Sequence, residues 1–117
     1  LTMINFEKFT NYSQEIIFSA NVKKDFYKNS EVQPEHIMLA MVEDKGVAKD
    51  YLEELKVLNQ HFINELVAKI KTFPTISGVG SSQQIFLSKD TNTLLELATS
   101  EAQVLKDDFN YFLKLYL

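Results

Sequence analysis

The run Ile37-Met38-Leu39-Ala40-Met41-Val42 has no polar interruption, and it constrains how this chain can fold more than any other stretch. Pro34 can open a helix just ahead of it, because the N–H that proline lacks would be unpaired in a first turn anyway. Glu35 suits the positive end of the helix dipole. A helix that is apolar on every side has to be enclosed by neighbours. The expectation is a short central helix wrapped by longer amphipathic helices before and after it.

A chain of 117 residues is one domain's worth, enough for a modest core without staples. Its hydrophobic fraction of 45% is that of a folded globular chain. The sequence contains no cysteine, which excludes disulfides and thiolate metal sites and fits a reducing compartment. A net charge of -4 without a basic face argues against nucleic acid as a partner. The densest basic spot, Lys23-Lys24, reads as a solvated helix face. No apolar run approaches the ~20 residues of a membrane span. The N-terminus lacks the basic-then-apolar order of a secretion signal. Met3 can serve as the natural start, and a cytoplasmic protein is expected.

Taken in order, the first helix should start near Thr10, whose side chain can cap the opening turn, with Phe9 packed back as a staple. Tyr12, Ile16, Ile17 and Ala20 form one apolar strip, and Phe18, Val22 and Phe26 an adjoining one. Two strips predict contacts on two sides of this helix. It should end in Lys28-Asn29-Ser30. The Pro34 helix follows and stops by Gly46. A third helix is expected from Val47 to Leu55, and a fourth after the cap Asn59, with the stripe Phe62, Ile63, Leu66, Val67 and Ile70. His61 reads as solvent-facing rather than a metal ligand, since only one other histidine accompanies it.

Between Phe73 and Gln84 the helical period vanishes, and one of two prolines and two of three glycines gather there. Connections this long are often functional. The apolar Ile76, Val79, Ile85, Phe86 and Leu87 should pin it to the surface. Gly78-Val79-Gly80 lacks the Gly-Lys-Ser/Thr ending of a phosphate loop. Ser88 then repeats the capping role of Thr10, ahead of a helix with Leu94, Leu95, Ala98, Ala102 and Leu105. After Lys106-Asp107-Asp108 the chain closes on a strongly apolar stretch from Phe109 to Leu117.

Sliding the chain by 78 positions matches Phe9 with Leu87, Thr10 with Ser88, Ile16 with Leu94, Ile17 with Leu95 and Ala20 with Ala98. A duplicated helical unit is the expectation. With these landmarks in place, the chain resembles the N-terminal domain of the Clp family of AAA+ unfoldases, most of all the ClpB disaggregases. The resemblance rests on four features in order. They are Phe9-Thr10 with Ala20, the Pro34-Glu35-His36-Ile37-Met38-Leu39-Ala40-Met41 signature, the linker from Pro74 to Gln84, and Ser88 to Ala102 followed by Asp107-Asp108-Phe109.

The resemblance implies an all-α, pseudo-twofold helical bundle of two repeats joined by a long linker. One domain would span residues 6–117, with a first repeat at about 9–72, the linker at 73–87 and a partial second repeat at 88–117. It implies a non-catalytic module without cofactor or metal. Such a module sits on an ATPase ring and recruits unfolded or aggregated polypeptides, or adaptor proteins. Thr10 and Asp107 match family positions associated with substrate handling, though each has a bland reading, as a helix cap and as a solvated helix-end charge. His36 reads as structural, held by backbone hydrogen bonds.

The second repeat departs from the family. After Phe109 the chain reads Asn110-Tyr111-Phe112-Leu113-Lys114-Leu115-Tyr116-Leu117 where a second Glu-His signature belongs. The expectation is that this apolar tail folds back over uncovered surface, or that two chains associate as a homodimer through it. Three functions compete. A ClpB-type recruiting domain leads, an adaptor-docking domain of a ClpA- or ClpC-type unfoldase follows, and a degenerate truncated domain is third. An enzyme is disfavoured, because the carboxylates are dispersed and no acid–base pair stands out.

Overall fold

The computed structural model describes residues 2–3, 11–77 and 84–98. Five helices occupy most of them, α1 (Asn11–Phe26), α2 (Pro34–Glu43), α3 (Val47–Glu54), α4 (Gln60–Ile70) and α5 (Lys89–Ala98). The fold is mostly helical, as expected. It also holds a short ladder that the sequence did not announce, with β1 (Thr2–Met3) antiparallel to β2 (Phe86–Leu87) and Thr2 opposite Leu87.

The central helix is α2. Pro34 through Met41 are all buried, and α1, α3 and α4 pack around the helix. Pro34 occupies its first turn after the N-cap Gln33, where a missing N–H costs nothing. The core joins Ile17 and Ala20 of α1, Ile37, Met38 and Met41 of α2, Leu52 of α3, and Phe62 and Leu66 of α4. Ile85, Leu87, Leu94 and Leu95 join the same cluster. β2 and α5 therefore pack into the same core as the first four helices. Ile85 and Leu87, two of the apolar residues expected to pin the connection, are buried in this core, whereas Ile76 stays exposed.

The helix ends follow from side chains and backbone together. Asn59 Oδ1 accepts the Phe62 N–H at 2.9 Å and opens α4. Ser88 Oγ accepts the Thr91 N–H at 3.1 Å and opens α5. Each satisfies an amide that the first turn would leave unpaired. Helices α1 and α5 start at Asn11 and Lys89, the offset at which the sequence repeats. The end of α1 is a Schellman reversal. The Asn29 N–H reaches Lys24 O at 2.9 Å, and the Lys28 N–H reaches Asp25 O at 3.0 Å. Lys28 sits at φ 59, where glycine is the usual occupant.

Two readings of α1 need correction. Lys24 is not on a solvated face. It is buried, with Nζ 2.9 Å from Asp25 Oδ1, while Lys23 pairs with Glu43 across the α1–α2 contact. The two apolar strips do not both enter the core either. Ile17 and Ala20 do so, whereas Phe18, Val22 and Phe26 are 52%, 63% and 75% exposed. A period of 3.6 places residues on a face but does not say how deeply each face is buried.

Candidate functional site

Helix α1 has two different sides. Its inner side carries Ile17, Ala20 and the buried stem of Lys24 against α2. Its outer side carries Phe18, Val22 and Phe26 at i, i+4 and i+8, one contiguous stripe along a helix. Glu15 and Asp25, both exposed, lie at the two ends of this stripe. Beside it, a shallow groove runs between α1 and the end of α2, lined by Glu15, Ile16, Ser19, Ala40, Glu43, Asp44 and Lys45. The surface thus offers apolar contact next to charged, mainly acidic groups.

A second concentration of polar chemistry lies inside. His36 is fully buried in the first turn of α2. Its Nδ1 accepts the Gln33 backbone N–H at 2.8 Å. Because that amide can only donate, Nδ1 is unprotonated and Nε2 carries the hydrogen. Nε2–H then donates to Asn29 Oδ1 at 2.9 Å. Asn29 Nδ2 donates in turn to Pro74 O at 3.3 Å. The Phe73 ring stands 6.0 Å from the imidazole, tilted at 55°. Burial, and after it the charge of Lys24, push the His36 pKa down from 6.5 to about 4. The imidazole is therefore neutral near pH 7, with both nitrogens engaged. This is a structural histidine, as expected, although one of its two partners is the Asn29 side chain rather than backbone. The sequence hint was available, since Asn29 sits in the turn that must return the chain to α2.

His61 is exposed, 3.9 Å from Glu65, in line with a solvent-facing role. Among the described residues no group of three or more His, Cys, Asp or Glu side chains is placed to hold a metal ion. No helix among them is long and apolar enough to cross a membrane. Thr10 and Asp107 both lie outside the described residues, as do the Phe109–Leu117 stretch and its expected packing. Thr10 directly precedes Asn11, the first residue of α1.

Fold and surface together define a helical module wrapped around a buried Pro-Glu-His helix, with an apolar stripe outside. Residues 8–110 match the family model of the Clp repeat (R) N-terminal domain, and the chain belongs to that family. Among its relatives is the chaperone protein ClpB of Bdellovibrio bacteriovorus, 31% identical over 101 residues, or 86% of this chain. The chaperone protein ClpB of Nitratidesulfovibrio vulgaris is 31% identical over 104 residues, or 87% of the chain. That of Rhodopirellula baltica is 25% identical over 104 residues, or 88% of the chain. In each case the chain spans 12% of the relative's length.

Proposed function

We propose that this domain recruits unfolded or aggregated polypeptides for a ClpB-type AAA+ chaperone, acting in the cytoplasm, and that it has no catalysis of its own. The exposed Phe18–Val22–Phe26 stripe is the observation that carries this reading. Leaving this much phenylalanine and valine surface exposed along one helix face is unfavourable by hydrophobic transfer, so the exposed part suits transient apolar contact. The names of the relatives favour a ClpB-type chaperone over a ClpA- or ClpC-type unfoldase.

In this reading residues 6–117 act as one module, with repeats at 9–72 and 88–117 and the linker at 73–87. Thr10, at the entry to α1, and Asp107 contribute polar contacts to the bound chain. Individual contacts are weak and sequence-tolerant. Tethering to an ATPase ring would raise the effective concentration of the domain near its substrate. The test is titration of a fluorescently labelled, permanently unfolded polypeptide onto the 117-residue chain and onto the F18S/V22S/F26S variant. Saturable binding by the parent and roughly tenfold weaker binding by the variant are expected, because the variant removes most of the apolar area the stripe can bury. Equal binding by both would reject the stripe, and no binding by the parent would reject recruitment.

A further inference from the structure

The connection between the two halves of the domain leaves the first four helices and returns to them at nearly the same place. On departure, the Ile76 N–H donates to Lys28 O at 2.8 Å, Asn29 pairs with Thr75 in an antiparallel bridge, and the Asn29 side chain holds Pro74 O. On return, the Val32 N–H donates to Phe86 O at 2.8 Å and the Ser88 N–H to Val32 O at 2.9 Å. Val32 and Leu87 form a parallel bridge. All of these bonds converge on the short turn between α1 and α2. Within that turn the apolar anchor is Val32, which is fully buried.

One side chain fastens the turn from inside. His36 bonds the Gln33 amide with one nitrogen and Asn29 with the other, so it ties the last residue of the turn back to its beginning. Both ends of this chain of bonds are backbone groups of fixed polarity, the Gln33 amide and the Pro74 carbonyl. The direction of every donor between them is therefore set. A relay with no reversible member favours a single geometry of the turn. We propose that the Lys28–Gln33 turn is a common anchor for both ends of the connection, and that His36 is the positioning residue that sets it. The place where β2 and α5 join the core then depends on one imidazole, and the two ends of the connection loosen together when it is lost.

This inference is independent of what the domain binds, and amide exchange tests it directly. Exchange rates of Ile76, Val32 and Ser88 report the anchor, and those of Leu66 and Ile70 in α4 report the helical core. In H36Q, the three anchor amides should exchange roughly tenfold faster, about the effect of one buried hydrogen bond, while the α4 amides change less than about twofold. N29A removes the Asn29 link without touching the interior of a helix. It should accelerate Ile76 and Ser88 by similar factors, although only Ile76 lies on the side of the turn that Asn29 contacts. The proposal is overturned if N29A moves Ile76 alone, if it moves neither, or if all slow amides, α4 included, rise together in N29A.

Discussion

His36 Nε2 and Asn29 Oδ1 meet at 2.9 Å between two residues that are almost completely removed from solvent, at 0% and 3% exposure. The contact joins the end of one helix to the start of the next. The pair of bonds requires a neutral imidazole, because the same ring must accept the Gln33 amide at Nδ1.

Stability should therefore depend on pH in a defined window. The pKa of His36 is about 4 in the folded chain against 6.5 for the ordinary side chain, so between these values the unfolded state binds the additional proton. The stabilisation is fully present above about pH 6.5 and is lost as pH falls toward 4, amounting to roughly 3 kcal/mol at most. Urea unfolding at pH 7, 5.5 and 4.5 should show this slope, and H36Q should flatten it. An imidazole titrating near 6.5 in the folded chain by NMR would contradict the buried, doubly bonded state.

Lys28 and Lys56 occupy the left-handed region at φ 59 and 60. A side chain there is strained against its own backbone, and glycine is not. K28G should stabilise the domain by about 0.5–1 kcal/mol despite the extra freedom of the unfolded glycine chain. A higher urea midpoint with an unchanged slope is the signature.

The two side-chain caps should be separable from the packing they initiate. N59A and S88A should each cost about 1 kcal/mol. S88A is expected to be the more damaging, because Ser88 is buried and its hydroxyl also bonds Thr91 Oγ1 at 2.8 Å. Equal, negligible losses in thermal or urea unfolding would show that neither cap matters.

The inner and outer faces should respond oppositely to truncation. Leu66 is fully buried, and L66A should cost about 2–5 kcal/mol through reduced burial and the cavity left behind. V22S on the outer stripe should change stability by no more than about 0.5 kcal/mol. The same V22S should weaken capture of an unfolded polypeptide, so stability and binding measured on one pair of variants distinguish the two faces.

Much of the architecture was legible because it depends on near neighbours along the chain. The apolar run after Pro34 required an enclosed helix, and α2 is one. Asn59 and Ser88 announced their caps because a cap acts across three residues. The Pro-Glu-His signature and the repeat led to the Clp family, which the match over residues 8–110 bears out. The two site residues singled out, Thr10 and Asp107, stand as part of the functional proposal.

Sequence alone determined which segments become helices, where they start, and that one of them must be buried, since helix period and capping are local physics. Only the tertiary structure decided that Lys24 is enclosed while Phe18, Val22 and Phe26 face outward. The pairing of Thr2–Met3 with Phe86–Leu87, and the joining of Asn29 to His36 and Pro74, were likewise settled there. Each of these depends on which groups from distant parts of the chain arrive at the same point, and on how much water remains when they meet. Hydrophobic pattern records a residue's tendency to leave water, whereas burial also depends on whether a neighbour is there to receive it.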